Sequence, residues 1–218
     1  TYIIYHKAMP PPLIAEQSGF APADSSGATR RPIQVELFLD LICPFSRKMF
    51  AAVFDSGKVF GQHPNVTFVI QQVVQPWHPQ GSYVHEAALA VKHLAPDKYL
   101  AFCSALYKAF DEGKFKDADT WDKSRSQIYA DLVALAESVG AAGIDKCLAM
   151  NAESQECNQM TQHLKWAVKY HRCRGVHVTP TVHVNGLEAG VVSSGWTAEQ
   201  WVAFLQPQGA DNWTGSNM

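Results

Sequence analysis

The sequence predicts an α/β domain in which a β-α-β unit and a β-β-α unit share one sheet, with an all-helical subdomain inserted between them. Three observations carry this. Residues 33–42 form an apolar run of buried-strand length that turns into a helix at Cys43-Pro44. Val66 to Val74 repeats the strand signal, with a continuous apolar start that suits burial on both faces. The β signal then returns at Val176 to Val184 and is followed by Asn185-Gly186, a strong hairpin turn. Neither β segment closes a core alone, so both are expected in one sheet.

The elements follow in order. Residues 1–32 read as an N-terminal extension: Tyr2 to Tyr5 suits a short strand, and Pro10-Pro11-Pro12 opens an irregular connection. After strand 33–42, Pro44 fits the first helical position, where no amide N–H is needed. A helix over 45–56 follows from Phe45, Met49 and Val53 at four-residue spacing, with Gly57 as its stop. Strand 66–74 makes a parallel crossover with the first strand. The loop Gln75 to Ser82 leads into helices at about 84–94, 97–112, 120–139, 142–150 and 154–173. A hairpin of strands 176–184 and 187–192 comes next. Thr197 with Gln200 makes a capping box for a last helix to Leu205, and a polar tail, 207–218, ends the chain. In domain terms, 33–82 and 174–206 build the sheet domain and 83–173 the inserted helical subdomain.

Composition narrows the function classes. The chain has 218 residues, 47% hydrophobic, with 18 basic and 20 acidic side chains. That supports a sizeable core, and no lysine or arginine cluster points to nucleic acid. No apolar stretch has the roughly 20 residues of a membrane helix. The sequence opens on Thr1 rather than Met, which reads as a trimmed or processed start with a targeting segment outside it. Two glycosylation sequons, at Asn65 and Asn212, favour a secretory or extracellular setting over a cytoplasmic one.

Cys43 is the centre of the chemistry. It sits at a helix start, where the dipole and free backbone N–H groups favour a thiolate. The competing reading is a small buried hydrophobe. Cys103, Cys147, Cys157 and Cys173 remain, which allows two disulfides or none. A helix hairpin brings Cys147 and Cys157 within reach of each other. Cys157 and Cys173, on one predicted helix, stand about 24 Å apart and cannot bond. His78 and His85 flank the sheet–insertion junction, where they support the thiolate, contact substrate, or serve as plain surface and capping residues. Asp40, three residues before Cys43, either raises the cysteine's pKa or is a solvated strand-end acid. Nine histidines show no metal-ligand spacing, so no metal is expected.

Cys43-Pro44-Phe45-Ser46 after the first strand, with Val178-Thr179-Pro180-Thr181 before the hairpin, resembles the thioredoxin fold. The helical insertion is similar to that of the DsbA-like branch, whose relatives include the kappa-class glutathione transferases. The resemblance spans about residues 33–206, and Val184-Asn185-Gly186 and the stretch from Glu36 to Ser46 are among its most specific parts. It implies that Cys43 is the nucleophile and that Pro44 and Phe45 are the pair tuning its acidity. It makes Thr179-Pro180 a cis-proline loop that offers backbone groups to a peptide or glutathione. It makes Glu36 a proton acceptor near the cysteine, and it suggests Trp77 and His78 as lining for substrate. The departure is Ser46, which stands where the family's second cysteine resolves the mixed disulfide. Monothiol chemistry is therefore expected: Cys43 attacks a disulfide and an external thiol resolves the adduct. Protein or small-molecule thiols and disulfides are the partners, with no tightly bound cofactor and glutathione as a co-substrate. A kappa-class-like glutathione transferase or isomerase, and a redox-inactive peptide-binding protein using the cis-proline groove, are the alternatives.

Overall fold

The computed structural model describes residues 33–64, 66–153 and 157–206. The expected N-terminal extension and its strand, the C-terminal tail, and the asparagines of both sequons lie outside these residues.

Among the described residues four strands form one mixed sheet in the order β2-β1-β3-β4. Strand β1 (Ile33–Leu39) is central, pairing parallel with β2 (Val66–Gln72) from Ile33↔Val66 to Leu39↔Gln72. On its other side it pairs antiparallel with β3 (Thr181–Val184), Phe38 opposite Thr181. Being flanked on both edges explains its nearly continuous apolar sequence, since Val35 through Leu39 are all buried. The hairpin turn falls where Asn185-Gly186 predicts it, with φ values of 50° and 87° that match a glycine-bearing type I′ turn.

The β segments are shorter than their sequence signals. The run from Val176, which includes the cis Thr179-Pro180 bond, contributes to the sheet only from Thr181, because Pro180 has no N–H to give a ladder. β4 is only Leu187–Glu188, an exposed edge with little apolar surface to bury.

Helix α1 (Pro44–Phe50) continues into a π-helical stretch, Ala51–Asp55, before Gly57 turns the chain at φ 67°. The inserted block holds α2 (Gly81–Leu94), α3 (Tyr99–Asp111), α4 (Asp117–Thr120), α5 (Arg125–Ser138), α6 (Ile144–Leu148) and α7 (Thr161–Cys173). α2 is its hub, packed on α3, α5, α6 and α7, with every residue from Val84 to Val91 buried. Six of those eight residues are apolar, as a central position favours, and the two polar ones, His85 and Glu86, find hydrogen-bond partners. Two predicted helices start later than expected. Ser124 and Gln127 form a capping box that begins α5 at Arg125. Asn158 Oδ1 accepts from the N–H groups of Met160 and Thr161, so the side chain terminates the loop ahead of α7. The last helix, α8 (Ala198–Leu205), opens with the predicted Thr197–Gln200 box and buries Trp201 completely.

Candidate active site

The turn between β1 and α1 is fixed by Asp40. Its side chain accepts from the Ile42 N–H at 3.1 Å and its carbonyl accepts from the Cys43 N–H at 3.1 Å. Its own N–H donates to Ser46 Oγ at 3.2 Å. A short polar side chain that bonds the backbone two residues on is the usual way to build such a turn. The result places Cys43 as the N-cap of α1, 8% exposed, followed by Pro44 in the first turn. The Cys43 thiol donates to the Thr179 carbonyl at 3.6 Å, across 136 residues of sequence.

The Thr179-Pro180 loop is itself held from behind. Gln75, buried three residues past the end of β2, donates its amide to the His177 carbonyl at 3.3 Å and to Thr179 Oγ1 at 3.4 Å. Around Cys43 and this loop stand exposed apolar side chains: Phe45 next to the cysteine and Val178 next to Thr179, with Trp77 just beyond Gln75. Lys48 Nζ lies 5.6 Å over the Phe45 ring.

Asp40 is fully buried, so the reading of a solvated strand-end acid is corrected: the turn folds its carboxylate inward, against His85. His85 Nε2 is 3.2 Å from Asp40 Oδ1, and its Nδ1 is 3.2 Å from Gln72 Oε1. The two histidines of the junction therefore part company. His85 is buried against the site, whereas His78 faces Asp117 at 3.7 Å on the surface side. Glu36 sits further along β1, bonded to Gln71 Nε2 at 3.0 Å, the Tyr170 hydroxyl at 2.5 Å and Arg174 Nη2 at 3.3 Å. The acid that holds the Cys43 turn is Asp40. Ser46 is buried, with its hydroxyl against the Asp40 N–H.

All five cysteines are free thiols. Cys103 is fully enclosed and burial pushes its thiol up to about 12, which makes it inert. Cys147 is buried and also raised, first by burial and then by Asp145. Cys157 is part-exposed and Cys173 exposed. Among the described residues no group of three His, Cys, Asp or Glu side chains converges as a metal site, and no helix is long and apolar enough to cross a membrane.

Sequence reasoning missed Gln72, Gln75 and Tyr107, all buried in or behind this site. A signal existed for the glutamines, since polar residues at the end of an otherwise apolar buried strand need partners.

A parallel β-α-β unit, a β-β-α unit and a cysteine at a helix start opposite a cis-proline loop define a thioredoxin-fold protein. The family model Thioredoxin_4, described as thioredoxin, matches residues 24–206, and the chain belongs to that family. Solved structures agree. A protein of Pseudomonas syringae assigned as a protein-disulfide isomerase is 28% identical, with a TM-score of 0.62, covering 80% of this chain and 93% of its own. MdbA, a thiol-disulfide oxidoreductase from Actinomyces oris, is 16% identical with a TM-score of 0.62, covering 87% of this chain and 85% of its own. Reduced DsbA from Mycobacterium tuberculosis is 19% identical with a TM-score of 0.56, covering 87% and 91%. The last two establish the fold. Among curated proteins, no sequence matches the chain.

Proposed function

We propose that the protein is a monothiol thiol-disulfide oxidoreductase or isomerase with Cys43 as its nucleophile. The observation that carries this is the Cys43 thiol against the Thr179 carbonyl, with a serine in the resolving position. The thiolate of Cys43 attacks one sulfur of a substrate disulfide. A Cys43–substrate disulfide forms, and the other substrate sulfur leaves as a thiolate that takes up a proton. Ser46 cannot attack this adduct. An external thiol such as glutathione does so, releasing Cys43 and carrying the substrate sulfur away as a new mixed disulfide. The substrate backbone is read by Thr179 and Pro180. Phe45, Trp77 and Val178 offer apolar surface to a segment of protein substrate, with His78 at the rim. The sequons favour an exported setting, and the five free cysteines add no support from structural disulfides.

The test is incubation with oxidised glutathione, read by mass spectrometry of peptides. One glutathione is expected on Cys43 and is removed by reduced glutathione. In the Ser46→Cys variant the adduct fails to accumulate, because the introduced thiol displaces glutathione. Labelling confined to Cys157 and Cys173, with Cys43 untouched, overturns the reading.

A further inference from the structure

The rim around Cys43 carries charge as well as apolar surface, and the exchange steps above do not use it. Helix α1 brings two cations, Arg47 and Lys48, and no acid. Arg47 is ion-paired with Asp111 of α3, so its charge is answered. Lys48 is exposed and has no acidic partner among the described residues. What holds it is the Phe45 ring, whose centroid is 5.6 Å from its Nζ. An aromatic face attracts an ammonium but carries no net charge, so it positions Lys48 without neutralising it.

The place of that ammonium follows from helix geometry. Lys48 is five residues past Cys43, about 7.5 Å along the helix axis. Helical side chains lean toward the N-terminus, and residues three apart share a face. The Lys48 side chain therefore runs back over Phe45, in the first turn of α1, toward the end that carries Cys43. Phe45 is itself 54% exposed, so ring and ammonium together face solvent beside the cysteine.

The acids of the surrounding elements are each answered or enclosed. Asp111 meets Arg47, and Asp117 accepts from the Gln80 amide at 3.0 Å and faces His78. Glu36 and Asp40 are buried. Across the cysteine, the run from His171 to Pro180 contains no acid and ends in the exposed Val178 and the Thr179-Pro180 loop. The chain as a whole has a net charge of −2, so an attraction for anions at this rim is local and not a property of the whole surface.

We infer that Lys48 is a specificity-determining residue, and that the preferred substrates are protein segments with an acidic residue beside the disulfide cysteine. The apolar part of the segment lies on Phe45, Trp77 and Val178, and its carboxylate meets the Lys48 ammonium. The inference rests on the monothiol reading and names the substrate class of that same site. A carboxylate against an exposed lysine adds little affinity and is screened by salt. Its effect is a choice among substrates and not a condition for reaction.

The test uses the reduced full chain and short single-cysteine peptides capped as 2-pyridyl disulfides. The peptides differ only in holding Glu, Gln or Lys on both sides of the cysteine. Cys43 attacks the peptide sulfur, the peptide–pyridyl S–S bond breaks, and the thiol proton leaves with 2-thiopyridone, whose absorbance gives the rate. The rate of a Cys43→Ala chain is subtracted, because Cys173 is exposed. Each rate is then divided by that of 2-mercaptoethanol, which removes the peptide's own reactivity. The Glu peptide is expected to react roughly fivefold faster than the Lys peptide at low salt, and the ratio to fall toward one at about 1 M salt. Lys48→Gln is expected to bring the ratio near one, and Lys48→Glu to invert it. If Lys48 only stabilised the Cys43 thiolate, its loss would slow all three peptides by one factor and leave their ratio intact, and the inference would fall. A wild-type ratio near one also overturns it, while release from every peptide leaves the exchange reading standing. No 2-thiopyridone from any peptide, with the chain folded by circular dichroism, overturns the exchange reading and the inference with it.

Discussion

Glu36 and Asp40 lie four residues apart at the middle and just past the end of β1, and both are buried, at 2% and 0% exposure. Their surroundings differ in kind. Glu36 is answered by a permanent cation, Arg174, and by donors from Tyr170 and Gln71. Arg174 goes on to the Gly186 carbonyl and to His183 Nδ1, both at 2.9 Å. Helix α7, the central strand and the β3–β4 turn are thereby tied together. Asp40 is answered by a histidine rather than by a permanent cation, and one of its oxygens has no partner. A buried acid whose charge is fully matched fixes structure. A buried acid matched only in part contributes less to holding the fold.

The largest expected effect tests the first half of that contrast. Arg174→Ala leaves Glu36 buried without its cation, and urea unfolding is expected to show a loss of about 3 kcal/mol. Formation of the Cys43 adduct in the remaining folded protein is unchanged. Stability equal to the wild type would show that Glu36 is not structural. Asp40→Asn is expected to behave in the opposite way. Replacing a part-satisfied buried carboxylate by its neutral isostere shifts unfolding by less than about 1 kcal/mol. A large destabilisation there would place Asp40 with Glu36.

The smallest effect concerns pH. Burial, and then the neighbouring Arg174, lower the pKa of His183 from its ordinary 6.5. The folded chain then binds fewer protons than the unfolded chain just below that value, so stability rises with pH across this window. The contribution is whole above about 6.5 and is lost as the pH falls through the folded value. His171, lowered by burial, acts in the same sense. Urea midpoints measured at about pH 7.5 and 5.5 are expected to fall on acidification, and to fall less in His183→Gln. An equal drop in both proteins would remove His183 from the account.

Much of the fold was legible because its signals are local. The Cys43-Pro44 helix start, the Asn185-Gly186 turn and the Thr197–Gln200 capping box each act within a few residues, and each appears where it was expected. The helix boundaries near 124 and 158 were not anticipated. They depend on Ser124 and Asn158 turning their side chains onto nearby backbone, which competes with helix propensity rather than adding to it. The site was legible in its two halves and not in its support. Trp77 and His85 stand eight residues apart in one sequence region, yet one is exposed and the other is fully enclosed. That difference follows from their places: Trp77 lies in the loop ahead of α2, whereas His85 lies in the α2 stretch buried on every side, where periodicity singles out no residue.

What the sequence determined by itself was the order of elements, the cysteine at the helix start and the serine three residues after it. These are matters of residue identity and of bonds within one turn of chain. The tertiary structure alone decided which groups meet: Cys43 with the Thr179 carbonyl across 136 positions, and Asp40 with His85 across 45. It also decided that Glu36 is neutralised by Arg174 while Asp40 keeps an unpartnered oxygen. Desolvation and pairing are properties of the packed interior, and an acid's role follows from them rather than from its place on the strand.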